Sequence, residues 1–475
     1  MHCKKRLFFS KQAKNRTLCN DSFTFPKRGD LFGLLTFNRG VFMLSRDLTE
    51  NQSQTRVIIY SGKGGTGKTT ISSSTAVALA RQNKKVLIMS SDPAHSLSDV
   101  FNVRISRNDP QKIEENLYGL EVDTVYELKK NMSGFQKFVS TSYKNKGIDS
   151  GMATELTTQP GLDEIFALSR LLDEAQSGKW DAVVLDTSPT GNTLRLLAYP
   201  EIIIGGNMGK QFFKLYKSMS SLARPLSGKS IPDDDFFNEV NVLLKQMEDI
   251  NKFILSPEVT FRLVLNPEKL SILETKRAYT FVHLYGINVD GIVINKILPT
   301  SKTVGEYFEF WADLHSKYLM EIDSSFYPTP VFRCHLQRTE PIGPDALHDI
   351  SKLVFGEQLP DKIFYSGKNF WIESKKNAAT EDHREVLCIK VPFLKDAEEV
   401  LVTRMGTDIV VTVDRAQRII TLPRALYSLE MEEYIREDNL LRVVFRDIPV
   451  EKEEQELSVN KNVLDKLRSM RRMKL

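Results

Sequence analysis

The apolar run Val57-Ile58-Ile59-Tyr60 leads into Ser61-Gly62-Lys63-Gly64-Gly65-Thr66-Gly67-Lys68-Thr69-Thr70, and a helical pattern over residues 68–82 follows. Few folds accept that order. A short apolar run ending in a glycine-rich turn reads as a buried strand. The pattern G-x-x-x-x-G-K-[ST] then calls for a loop whose backbone N–H groups converge on an anion, since side chains at the glycines would block its approach. A helix opening directly behind the loop adds its N-terminal partial charge at the same point. The expected ligand is a nucleotide phosphate chain. Lys68 is placed to bridge the β- and γ-phosphates, and the Thr69 hydroxyl to ligate Mg²⁺.

The alternation continues through residues 55–356. Val86-Leu87-Ile88-Met89, Ala182-Val183-Val184-Leu185, Phe261-Arg262-Leu263-Val264-Leu265 and Gly291-Ile292-Val293-Ile294 read as further strands with helices between them. Strands separated by helices imply an α/β P-loop NTPase, a mostly parallel sheet flanked by helices. Helical insertions interrupt the rhythm at about 125–178 and 201–256. Met208, Phe212, Leu215, Met219 and Leu222 form one apolar stripe; Phe236, Val240, Leu243, Leu244, Met247, Ile250 and Ile254 form another. Such stripes either pack as core or line a groove for an apolar helix.

Two acids fall where strands end. Asp92 opens Asp92-Pro93-Ala94-His95-Ser96-Leu97-Ser98-Asp99 just after the second strand, at the sheet edge where ligands bind. It is placed to orient or deprotonate an attacking water. Asp186 follows four apolar residues and is placed to hold Mg²⁺, with the segment Thr187-Ser188-Pro189-Thr190-Gly191 behind it as a candidate switch.

Composition excludes several classes. A net charge of +4 over 475 residues provides no field to gather nucleic acid. Four cysteines cannot staple a secreted scaffold, so a reducing compartment is the default: the cytoplasm. No apolar run is long enough to span a membrane. Residues 1–54 stand apart. Lys4, Lys5, Arg6, Lys11, Lys14 and Arg16 occur with no acid in the first twenty positions. This start is either a disordered or untranslated leader, with Met43 as the true start, or a transit peptide, which would place the protein in the plastid stroma. Residues 357–383 read as a polar connector. Residues 384–447 change to strand periodicity and read as a small all-β unit; 448–475 form a charged tail.

Taken together, Gly-Lys-Gly-Gly-Thr-Gly-Lys-Thr-Thr at 62–70, Asp-Pro-Ala-His-Ser-Leu-Ser-Asp at 92–99 and Asp-Thr-Ser-Pro-Thr-Gly-Asn-Thr-Leu-Arg-Leu-Leu at 186–197 resemble the arsenite-pump ATPase family, whose eukaryotic branch targets tail-anchored membrane proteins. The resemblance covers about residues 56–356. It implies ATP and Mg²⁺ as ligands, with Gly62, Lys63, Gly64, Gly65, Thr66, Gly67, Lys68, Thr69 and Thr70 at the nucleotide and Asn295 at the adenine. It also implies a homodimer, because Lys63 marks the deviant Walker A class, in which a second lysine crosses to the partner's nucleotide. Asp92 and Lys63 are then the catalytic pair, and Thr69 and Asp186 the metal pair. Residues 384–447 resemble an α-crystallin fold, with Ile448-Pro449-Val450 similar to the tail motif of small heat-shock proteins.

The departures decide between outputs. The best-studied arsenite ATPases carry two nucleotide domains and a cysteine trio. Here there is one such loop, and Cys3, Cys19, Cys334 and Cys388 are scattered. A soft ion favours clustered thiolates, and the C-x-x-C zinc clasp of the eukaryotic branch is missing too. The expected partners are therefore hydrophobic client segments or a membrane protein, with an arsenite efflux pump as the rival. A scaffold with negligible turnover is opposed by Asp92 and Lys63. Since every nucleotide motif precedes residue 357, a chain cut near Ser374 is expected to keep its ATPase activity.

Overall fold

The computed structural model describes residues 54–92, 96–123, 126–127, 162–187, 234–299, 306–376, 383–394, 400–413 and 416–447. The leader, the stripe at 208–222, the segment 188–195, the residues Pro93-Ala94-His95 and the charged tail lie outside them.

β1 (Arg56–Ser61), β2 (Val86–Ser90), β5 (Ala182–Asp186), β6 (Val259–Leu265), β7 (Val289–Ile297) and β8 (Val331–His335) run parallel, joined by β4 (Leu117–Glu121), against which β3 (Gln111–Glu114) pairs antiparallel. The order across the sheet is β3-β4-β2-β5-β1-β6-β7-β8. β1, β2 and β5 lack polar alternation because both of their faces are covered. Their period of two still shows in the destinations. Val57, Ile59, Leu87, Met89, Val183 and Leu185 enter one core, and Ile58, Tyr60, Val86, Ile88, Ala182 and Val184 the other.

α1 (Lys68–Ala80), α2 (Ser96–Phe101) and α7 (Pro344–Phe355) cover the second face, with Ile71, Val77, Leu79, Phe101, Leu347 and Val354 in that core. α1 is polar in composition yet buried almost all round. Ser72, Ser74 and Thr75 donate to carbonyls within the helix, whereas the buried Ser73 hydroxyl has no hydrogen-bond partner. α3 (Leu162–Gln176), α4 (Asp234–Ile254), α5 (Lys269–Leu284) and α6 (Glu306–Phe326) cover the opposite face. Met247, Ile250 and Ile254 of α4 lie in that core, so the C-terminal end of the second apolar stripe packs against the sheet and is not open for a groove.

The C-terminal strands form two antiparallel sheets, β14-β15-β10-β9 and β11-β12-β13. They comprise β9 (Phe370–Lys376), β10 (His383–Lys390), β11 (Val400–Met405), β12 (Asp408–Val413), β13 (Ala416–Thr421), β14 (Glu430–Glu437) and β15 (Leu440–Arg446). Leu387 and Ile389 of β10 and Leu441, Val443 and Phe445 of β15 meet Ile409 and Val411 of β12 in one core, which makes the pair a sandwich. The segment read as a connector is more than that: its residues 370–376 pair with β10 along their whole length. Its strand was hidden because Glu373, Ser374, Lys375 and Lys376 make β9 polar.

Candidate functional site

The expected site residues lie at or just past the C-terminal ends of neighbouring strands, with Lys68, Thr69 and Thr70 in the first turn of α1. Tyr60 of β1 lies opposite Asp186 of β5, and Ser90 of β2 lies opposite Asp186 from the other side. Asp92 is two residues past that point. Leu265 of β6 lies opposite Ile294 of β7, one residue before Asn295.

The loop closes on itself through the Lys63 carbonyl, which accepts bonds from the Thr66 N–H at 3.3 Å, the Thr66 hydroxyl at 2.8 Å and Lys68 Nζ at 3.4 Å. Two glycines are irreplaceable for steric reasons. A Cβ at Gly62 would stand 2.2 Å from the Val264 carbonyl oxygen. Gly67 has φ +89° and admits Asn295, whose Nδ2 would lie 2.2 Å from any Cβ there. Gly64 and Gly65 are exposed, Thr69 and Thr70 half-buried. Lys63 is also half-buried and shares a narrow crevice with Gly62 and with Glu274, Thr275 and Ala278 of α5.

The electrostatics centre on three ionisable groups, Lys68 and Asp186, which are buried, and Asp92, which is half-buried. Burial lowers the affinity of Lys68 for its proton, and the charges of Asp186 and Asp92 partly restore it. The Asp186 carboxyl is pushed up to about 7 by burial, against the opposing effect of the hydrogen bond from Thr69 and the charge of Lys68; Asp92 adds to the rise. Thr69 Oγ1 donates to Asp186 Oδ2 at 2.6 Å, while Asp186 Oδ1 is buried with no hydrogen-bond partner. An orphaned carboxylate oxygen beside a threonine hydroxyl fits a hard divalent cation, which takes oxygen ligands. Asp92 is half-buried, and its N–H donates to Ser90 Oγ at 3.1 Å.

Asn295 is buried. Its Nδ2 donates to the Thr66 carbonyl at 2.9 Å, and its Oδ1 accepts from the Lys296 N–H at 2.9 Å. Each end of the amide keeps capacity for one more bond. It opens onto a cavity of about 570 Å³ lined by Gly67, Thr70, Lys296, Cys334, His335 and the segment 336–342. Sequence reasoning had assigned no role to that segment or to Lys296. The segment has no motif; only its position after β8 brings it there. Among the described residues, Cys334 and Cys388 are buried thiols outside any disulfide, one at the sheet edge and one in the sandwich, and no three His, Cys, Asp or Glu side chains gather into a metal cluster. No described helix is long and apolar enough to cross a membrane.

A glycine-rich loop opening a helix, a buried carboxylate–threonine pair and an acid at the next strand end, on a mostly parallel sheet wrapped by helices, are the parts of a nucleotide-hydrolysing P-loop enzyme. Residues 55–356 match the model of the anion-transporting ATPase family and residues 382–445 that of an HSP20-like domain found in the same proteins. The chain belongs to this family of ATPases. It is 36% identical over 399 residues to a candidate arsenical pump-driving ATPase of Chlorobaculum tepidum, spanning 82% of this chain and 96% of that one. A protein of Aquifex aeolicus with the same designation is 33% identical over 81% of this chain and 99% of its own. The ATPase get3 of Schizosaccharomyces pombe is 30% identical over 64% of this chain and 92% of its own length.

Proposed function

We propose that the chain acts as a homodimeric, magnesium-dependent ATPase switch that handles hydrophobic segments of membrane proteins in the cytoplasm, with residues 55–356 as the motor and 384–447 as an attached β unit. The observation that carries the hydrolytic part is the pairing of Thr69 with a buried Asp186 whose second oxygen has no partner. Those two residues would hold Mg²⁺, which when bound neutralises charge on the phosphate oxygens. The loop N–H groups from Gly64 to Thr69, apart from that of Thr66, which closes the loop onto the Lys63 carbonyl, would hold the phosphates together with the Lys68 ammonium. Asp92, close enough to act on both Lys68 and Asp186, orients the attacking water and takes its proton. Lys63, half-buried beside α5, would cross to a second subunit's nucleotide, as the resemblance implies, and neutralise charge developing on the phosphates. The client reading is supported by the resemblance to the branch that targets tail-anchored proteins and by the similarity to the ATPase get3 over nearly all of that protein's length.

Subunit mixing tests the dimer. Lys63→Ala and Lys68→Ala chains should each be inactive, and their mixture should recover activity, since the heterodimer joins an intact nucleotide site in the Lys63→Ala chain to an intact Lys63 from its partner. If no mixture recovers, Lys63 acts within its own chain. A charged residue supplied in trans is worth ~10³–10⁵ in rate, which sets the loss to expect from Lys63→Ala alone. The client is tested by purifying the full chain carrying Asp92→Asn, which should bind ATP with little turnover, and identifying what remains bound.

A second reading, an ATPase driving arsenite export, is favoured by the designations of the relatives from Chlorobaculum and Aquifex. The thiols oppose it. Cys334 is pushed up to about 11 by burial, which disfavours the thiolate a soft ion binds. Arsenite should therefore leave the ATPase rate unchanged; a several-fold stimulation lost on replacing Cys334 or Cys388 would favour the pump.

A further inference from the structure

We infer that Lys296 is a positioning residue of the nucleotide site, holding the glycine loop in its phosphate-binding form from two strands away. On a regular strand, consecutive side chains leave on opposite faces. Asn295 and Lys296 are consecutive, yet both reach the same loop. The reason lies in the β7–β8 pairing: Ile294 is opposite Arg333 and Ile297 opposite His335, so three steps on β7 match two on β8. This is a bulge of one residue, the device that re-aims side chains beside sites. Lys296 occupies it with φ +57°, a left-handed conformation disfavoured for lysine.

From there Lys296 Nζ donates to the Gly65 carbonyl at 2.8 Å, next to the bond from Asn295 Nδ2 to the Thr66 carbonyl at 2.9 Å. Two successive loop carbonyls are thus gripped from outside. A trans peptide is planar, with its N–H opposite its C=O. Gripping the carbonyls of Gly65 and Thr66 therefore fixes the direction of the Thr66 N–H, which closes the loop onto the Lys63 carbonyl, and of the Gly67 N–H. Asn295 is buried and Lys296 exposed, so Lys296 supplies the adjustable half of the grip. Its charge is spent on the loop backbone and its effect on a ligand is indirect.

This inference rests on reading residues 61–70 as the nucleotide site, and the test keeps the two separable. Equilibrium binding of ADP and of inorganic tripolyphosphate is measured on the full chain and on Lys296→Met, Lys296→Arg and Lys68→Ala. Methionine keeps the stem and removes the donor. Lys296→Met should weaken both ligands about fivefold, or about 1 kcal/mol, because the grip acts on phosphate binding whatever the base. Lys296→Arg should stay within about twofold of the parent, and in turnover KM for ATP should rise more in Lys296→Met than kcat falls. The inference is overturned if Lys296→Met binds like the parent, if Lys296→Arg fails as badly as Lys296→Met, or if ADP weakens and tripolyphosphate does not. Undiminished binding by Lys68→Ala would instead overturn the site reading beneath it.

Discussion

Asp186 sits at the end of a fully buried strand, where water cannot solvate its charge, and it therefore holds a proton up to about pH 7 in the ligand-free protein. In the unfolded chain the same carboxyl titrates about three units lower. The native state thus binds the additional proton between roughly pH 4 and pH 7, and the contribution of Asp186 to stability is present below that window and lost as pH rises through it. Asp186→Asn removes the titration. In the absence of divalent cation and nucleotide, the variant should unfold at a higher temperature than the parent at pH 8, with the gap closing toward pH 5. A gap that is the same at both values would show that the carboxyl ionises as freely as an exposed one. The same variant should lose magnesium-dependent nucleotide binding, which identifies the instability as the cost of keeping a cation ligand in a dry site. Whether a residue near the loop could be foreseen depended on its chemistry being written in a local motif. Gly62, Gly67 and Lys68 were legible in that way, whereas the steric reason for Gly67, the approach of Asn295 from more than two hundred residues away, was not.

Among the elements, the join between β6, β7 and the segment after α7 carries the most concentrated polar packing. Arg262 and Asp290 are both fully buried and bond twice, Nε to Oδ1 at 3.0 Å and Nη2 to Oδ2 at 3.1 Å. Arg56 of β1 reaches Asp290 Oδ2 at 3.2 Å, and the Phe364 N–H donates to the same oxygen at 3.4 Å. Arg262 also donates to the Lys362 carbonyl and lies over the Phe364 ring, 4.8 Å from its centre. The group therefore ties three central strands to the segment leading into the β unit. Removing one partner leaves buried charge uncompensated, so Asp290→Ala should cost about 3–5 kcal/mol of stability. Arg262→Met on the same background should recover part of the loss, since an apolar side chain does not demand a counter-charge. Denaturant unfolding of the single and double variants measures both effects, and an Asp290→Ala loss below about 1 kcal/mol would mean that water solvates the site. Nothing in the local sequence marks this pair, because Arg262 interrupts an apolar run that is otherwise an ordinary strand.

At the scale of the whole molecule, the β unit is packed on the ATPase through α5. Leu284 of α5 belongs to the sandwich core, Arg418 Nη1 donates to the Tyr285 carbonyl at 2.5 Å, and Thr280 donates to the Pro392 carbonyl. Phe393 stands between Tyr279 and Phe326, 5.7 and 5.3 Å from their ring centres, with Lys276 above it. The preceding stretch of the same helix lines the crevice at Gly62 and Lys63, so one helix touches both the nucleotide loop and the sandwich. A chain cut near Ser374 is then no clean dissection: the cut falls inside β9 and bares the apolar end of α5. Such a chain should unfold at least several degrees below the full chain and aggregate more readily, although every nucleotide-binding residue is present, and its folded fraction should bind ADP as the full chain does. Calorimetry with and without ADP checks both points, and an unchanged transition temperature would show that the interface contributes little.

Local order along the chain was enough to determine that a strand, a phosphate loop and a helix follow one another, that apolar strands alternate with helices in a parallel sheet, and that a β unit follows. These features depend on contacts between near neighbours, so their residue types carry the pattern directly. Asp92 and Asp186 were legible for the same reason, each lying just past an apolar strand. The strands β9 and β14 were not, because polar residues dominate them and only scattered side chains such as Phe370 and Met431 reach the sandwich core, too few to set a period. The aim of Lys296 into the loop, the Arg262–Asp290 pair and the seat of Phe393 on α5 were decided only when the sheet closed. Each depends on residues distant in sequence meeting at a distance of a few ångströms, and the energy of such a meeting belongs to the packed structure and is written in neither partner alone.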